Sequence, residues 1–239
     1  MGVMDKFVEL QNKIETAKYV IPKEAINNGL EYSEIAESLE YKLNCIYFFN
    51  TQLIGYAYQV EDLLKKQAPR TSPNSEVILK VNINPIIYAI QFDSLILHST
   101  SLLDISSRLI KLFYPRVEYR TFRALKKSLT KDYAGTMMAE LIEKHWVEWI
   151  EIIYNYRVEI FHKYYAKPGQ EFKIKVDSLN QIKVEYFELP SELKARLKNP
   201  VSTDVISFSK ELVALTEKFL QDIIITILHE RLHGKIFVE

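Results

Sequence analysis

Glycine, proline and cysteine are all scarce. Six glycines and eight prolines in 239 residues are too few for an all-β sandwich, whose short strands need frequent turn residues. They also leave no glycine-rich run that could cradle a phosphate. The single cysteine, Cys45, excludes an internal disulfide framework and a zinc ribbon. It suits a reducing compartment, and a cytoplasmic location is expected. No basic-then-apolar leader with a small-residue cleavage site is visible, so secretion is not expected. Apolar runs such as Ile223 to Ile225 are far too short to span a bilayer, and no membrane partner is expected. An excess of either charge is missing too, since 31 basic and 31 acidic side chains cancel. What the chain does have is 48% apolar residues, enough to bury a core, which excludes intrinsic disorder as a description of the whole.

Most of these apolar residues recur at helical spacing. Asp5 to Lys18 reads as a first helix, and Pro22 with Asn27-Asn28-Gly29 as a connection. Ser33 is the expected N-cap of a long helix reaching Lys66, with Glu34 and Glu37 in its first turn. Ile35, Leu39, Leu43, Ile46, Phe49, Leu53, Tyr56 and Val60 carry its apolar face. A loop over Ala68 to Ser75 follows. Asn84-Pro85 opens a second long helix, apolar on most sides and ended by Pro115. A shorter basic helix is expected over Val117 to Leu129. Gly135 then introduces a third long helix, Thr136 to Tyr165, stopped by Pro168-Gly169. "FKIKV" and "IKVEYF" alternate apolar and polar residues and predict a β-hairpin. Asp204 or Thr203 caps a last helix running to about Leu232. The expected fold is therefore all-α: an up-and-down helical bundle in one domain, 1–239, with a hairpin insertion over 171–188.

Charge is distributed unevenly along this bundle. Arg108 to Lys131 holds eight basic side chains and one acid, Glu118. Arg116, Arg120, Arg123 and Lys127 fall at spacings of four, three and four, so they share one helical face. Phe113, Tyr114, Tyr119 and Phe122 interleave with them. A cationic stripe with aromatics nearby suits single-stranded nucleic acid, through phosphate contacts and base stacking. The plainer alternative is a solvated face paired with Glu140 and Glu143, its aromatics in the core.

Two motifs bear on chemistry. "HERLH", His229 to His233, has the H-E-x-x-H spacing that can set two imidazoles on one helical face for zinc, with Glu230 as base. The downstream glycine and third histidine of the extended zinc-protease pattern are absent. Cations just before Gly234 also suit a helix C-terminus, so no metal and no cofactor is expected. "NYRVEIFHK" places Arg157 five residues before His162. A guanidinium can hold a phosphate by two parallel hydrogen bonds, and an imidazole can move a proton near neutral pH. Five residues of helix turn by about 140°, so the two side chains do not stack on one face. They converge if the arginine reaches round, or if a second copy brings its own pair opposite. Against this stands a structural pair of roles: His162 at a helix C-terminus, Arg157 on a neighbouring carboxylate.

"YNYRVEIFHKYY" resembles the signature of the HEPN superfamily, an Arg followed four to six residues later by a His, late in a long helix. "FDSLILHSTSLLDISSRLIKLFYP", with Asp104 inside an apolar helix, is similar to the central helix of several HEPN families. Together the two stretches cover about 15% of the chain. The resemblance implies a homodimer that cleaves RNA without metal. Arg157 would bind phosphate, and His162 would assist attack by the 2′-hydroxyl. Asp104, Asn155 and Tyr156 would support the pair. It also implies a toxin or defence role with an antitoxin-like protein as partner. One departure matters: the residue after the signature Arg is commonly polar, and here it is Val158, which cannot orient the pair by hydrogen bonding. A non-catalytic HEPN-like interaction or nucleotide-binding module is the alternative.

Overall fold

The computed structural model describes residues 29–67, 76–79, 85–163, 172–176, 182–185, 189, 193 and 204–232. The expected helix over Asp5 to Lys18, the Pro168-Gly169 stop, His233 and Gly234 lie outside them. Helix dominates, and the fold class is all-α. Helix α1 spans Gly29–Gln67, α2 Pro85–Phe113, α3 Phe122–Asp132 and α4 Met137–His145. A π-helical turn, Trp146–Ile150, joins α4 without a break to α5, Glu151–Lys163. Helix α6 spans Val205–Ile227 and runs into a second π-helical turn, Leu228–Leu232. Among the described residues no helix is long and apolar enough to cross a membrane.

Three short strands form an antiparallel sheet: β1 Glu76–Leu79, β2 Phe172–Val176 and β3 Ile182–Glu185, in that order. Val77 lies opposite Ile174, which lies opposite Val184. The sequence reading assigned nothing to β1. The insertion expected over 171–188 lies partly outside the described residues, including 177–181 between β2 and β3.

Contacts divide the chain into two compact units. One takes the described residues up to Asn44, His98–Glu151, and those from Ala214 on; the other takes Cys45–Leu97 and Ile152–Val213. In the first, Ile35, Leu39, Leu103, Leu125, Ile142 and Ile223 are fully buried or nearly so. Phe219 sits among aromatic rings there, with centroids 5.6 Å from Phe122, 5.2 Å from His145 and 6.1 Å from Trp149. In the second, Phe92 packs against Tyr156 at 6.0 Å and Phe208 at 6.1 Å, over buried Ile46, Leu53 and Leu95.

Helix boundaries follow capping and burial. Asp204 caps α6 as expected: its Oδ1 accepts the Ser207 amide at 2.9 Å and its Oδ2 the Ser207 hydroxyl at 2.8 Å. Pro85 is the first residue of α2, and Gly135, at φ +80, separates α3 from α4. Two starts differ from expectation. Helix α1 begins at Gly29, four residues before Ser33. Its buried face reaches back to Tyr32, 3% exposed, so packing extends the helix past the polar residue that looked like its cap. Helix α3 begins at Phe122 rather than Val117, because the Thr121 hydroxyl accepts the Ala124 amide and makes Thr121 the N-cap. Asp204→Ala is expected to cost about 1 kcal/mol of stability, seen as a lower urea midpoint with unchanged slope.

Candidate nucleic-acid interface

Helix α3 is amphipathic. Phe122, Leu125 and Leu129 are buried at spacings of three and four, which turns its cations outward. They divide between two sides. Lys126 pairs with Glu143 at 3.0 Å and lies 5.3 Å from the Trp146 ring centroid. This is the plainer reading of the basic stretch, and it holds for Lys126. Arg123, Lys127 and Lys131 recur every four residues, so they share a face and rise by about 6 Å per step along the axis. The guanidinium of Arg123 also sits 5.7 Å over Trp146, whose ring stacks on Phe122 at 6.4 Å and 13°.

The segment before α3 is a pinned loop and not a helical turn. Lys111 Nζ donates to the Val117 carbonyl at 2.9 Å and to that of Pro115. The Arg116 amide donates to the Tyr133 hydroxyl at 3.3 Å, and the Glu118 amide to Ser128 Oγ at 2.8 Å. Asp104, from inside α2, accepts the Phe122 amide at 3.0 Å. Its carboxylate thus holds the N-terminus of the basic helix, where the dipole favours negative charge. Because the loop is not helical, Arg116 and Arg120 do not reach the α3 face by helical spacing.

The loop instead borders an open cavity of about 560 Å³, lined by Arg116, Glu118, Thr121, Arg123, Ala124, Lys127, Ser128, Lys131 and Asp132. Three of the four expected RNA-binding residues, Arg116, Arg123 and Lys127, come together here; Arg120 is exposed but outside the lining. Sequence reasoning missed Lys131, although it continues the four-residue spacing, and gave no role to Glu118 and Asp132. The aromatics divide as well. Phe113, Tyr114 and Phe122 are buried, while Tyr119 is 44% exposed with Lys111 Nζ 5.9 Å from its ring.

The HERLH segment is committed elsewhere. Glu230 Oε1 accepts the amide of Met137, the first residue of α4, at 2.6 Å, and Oε2 accepts the Tyr114 hydroxyl. Two acceptor bonds on a carboxylate at a helix N-terminus describe a cap rather than a free base. No group of three or more His, Cys, Asp or Glu among the described residues could hold a metal ion.

In the other unit, α5 carries both Arg157 and His162. Arg157 is half-buried, with its guanidinium 5.8 Å over the Tyr154 ring. The His162 side chain lies outside the described residues. Tyr156 is a core residue, 3% exposed, and its hydroxyl donates to Asp93 at 3.4 Å. Asn155 is half-buried, and Val158 is 52% exposed. Comparison with protein-family models, curated proteins and solved structures finds no match to this chain.

One buried histidine sets a pH limit. His145, 1% exposed, accepts from Trp149 Nε1 on Nδ1 at 3.0 Å, which leaves Nε2–H facing Asp222 Oδ2 at 3.3 Å. Burial pushes its pKa below the ordinary 6.5, against the opposing pull of Asp222. The unfolded chain therefore takes up this proton first. The stabilising contribution is complete above about pH 6.5 and is lost as pH falls through the lower folded value. Urea midpoints measured across this range are expected to fall on the acid side, and Trp149 fluorescence is expected to change as Nδ1 gains a proton and the indole loses its acceptor.

Proposed function

We propose that this chain is an HEPN-like RNA-binding protein that engages single-stranded RNA through the basic surface of α3 and the loop before it. A single observation carries the reading. Arg116, Lys127 and Lys131 surround one cavity, and no ion pair holds any of them, or Arg120, among the described residues. Cations held near one another without ion-pair partners carry an electrostatic cost, which an anionic polymer relieves with release of its counterions. The pinned loop adds preorganisation, since its backbone is fixed before any ligand arrives.

The cleavage step belongs to Arg157 and His162, on the resemblance of "YNYRVEIFHKYY" to the HEPN signature. In this reading two copies of the chain present their α5 helices to a shared strand. Arg157 holds the scissile phosphate and His162 takes the proton of the 2′-hydroxyl. The oxygen attacks phosphorus, the 5′-oxygen leaves, and a cyclic phosphate results without a metal. A second reading, a non-catalytic HEPN-like module, is favoured by Val158, whose exposed apolar side chain offers the pair no hydrogen bond.

Purified protein titrated with labelled single-stranded RNA is expected to bind with a strong salt dependence. Arg116→Gln, Lys127→Gln and Lys131→Gln are each expected to lower the slope of log affinity against log salt by about 1. No binding by the wild type, or slopes unmoved by all three, overturns the proposal. RNA incubated with the protein in chelator is expected to fragment, and His162→Ala to abolish fragmentation while leaving binding intact. Binding without fragmentation by the wild type selects the non-catalytic module.

A further inference from the structure

The cavity at α3 is not lined by cations alone. Two carboxylates, Glu118 and Asp132, line it together with Arg116, Arg123, Lys127 and Lys131. Both acids are exposed, and neither forms an ion pair among the described residues. The two hydroxyls in the lining are already engaged. Thr121 Oγ1 caps the Ala124 amide. Ser128 Oγ accepts the Glu118 amide and donates to the Ala124 and Leu125 carbonyls. The cavity therefore offers a ligand cationic donors on one hand, and carboxylate acceptors on the other.

A site for bare polyanion would be better without the acids, because each repels a phosphate brought close to it. Carboxylates are acceptors only, so they suit a ligand that brings hydrogen-bond donors along with its negative charge. The cavity volume is in the range of small-ligand sites, enough for a nucleotide unit rather than a lone ion. A ribonucleotide backbone presents both features at every step, a phosphate and a 2′-hydroxyl that can donate. A deoxyribonucleotide backbone keeps the phosphate and lacks that donor. The fold keeps both acids beside the cationic face: the Glu118 backbone through the hydrogen bond its amide donates to Ser128 Oγ, and Asp132 as the last residue of α3.

We infer that Glu118 and Asp132 are specificity residues that accept ribose 2′-hydroxyls, so that this groove selects RNA over DNA. The inference rests on the RNA-binding reading above. Arg116, Arg123, Lys127 and Lys131 supply affinity to either backbone, and the two carboxylates supply the discrimination. Removing the acids should therefore act oppositely on the two polymers. RNA loses an acceptor, while DNA is relieved of a repulsion.

The test compares single-stranded RNA and DNA of one mixed sequence, by fluorescence anisotropy in chelator, on the full chain. Wild type is expected to prefer RNA by about tenfold. Glu118→Ala and Asp132→Ala, which remove the acceptor oxygens, are expected singly and together to narrow that ratio toward one by weakening RNA and leaving DNA binding unchanged or stronger. Circular dichroism and thermal midpoints matching wild type show that the variants fold. RNA and DNA bound equally by the wild type, or a preference that survives both substitutions, overturns the inference while the RNA-binding reading stands. Failure of the wild type to bind RNA at all overturns both.

Discussion

A carboxylate inside an apolar helix must find a donor, because burying it unpaired is costly. Asp104 finds one in the Phe122 amide, and the basic surface depends on that contact. The amide is one of those a helix start leaves without an intrahelical partner. A single hydrogen bond therefore satisfies both groups and ties α3 to α2. The Thr121 cap and the Ser128 bond to the Glu118 amide act on the same few residues. Glu230 acts likewise at the start of α4, on the Met137 amide. Two acids thus hold the N-termini of two short helices, and the first of these, with the loop before it, carries the cations of the cavity.

That arrangement separates cations that serve the fold from cations left to solvent. Lys126 is drawn to Glu143 and Trp146. An exposed pair of this kind contributes little stability, about 0 to 1 kcal/mol, but it removes Lys126 from the outward set. Lys127, one residue on, turns about 100° away and lines the cavity. Arg123 stands between these roles, resting on Trp146 while facing the same cavity. A guanidinium stacked on an aromatic ring has already lost part of its rotamer freedom, so less entropy remains to be lost when it meets a phosphate.

Much of this was legible in the sequence. The all-α class followed from apolar spacing, and Asp204, Pro85 and Gly135 each marked the boundary their chemistry suggests. The basic surface was legible as a charge run but misread as geometry. Arg116 to Lys127 fits helical spacing on paper, yet Thr121 begins the helix, and the residues before it are held by bonds to Tyr133 and Ser128. Those partners lie 10 and 17 residues away, beyond any local pattern. Three of the four interleaved aromatics are core residues, since an aromatic near a cation in sequence is as often packing as stacking. The HERLH text has the zinc spacing, but its described part lies in the π-helical turn Leu228–Leu232, and Glu230 is used by two partners.

Binding and cutting make different demands on a fold. A binding surface needs many modest contacts spread along a strand, each screened and replaceable. A cutting pair needs two groups held within a fraction of an ångström of one atom. The basic groove belongs to one compact unit and Arg157 to the other, so each has its own core and its own supporting contacts. The groove's support is built from backbone hydrogen bonds to Asp104, Tyr133 and Ser128. Arg157 lies over the Tyr154 ring, three residues before it on α5. On the proposed reading, a facing copy of the chain would bring a second α5 to the same strand, so the cutting pair would be completed by assembly while the groove is completed within one chain.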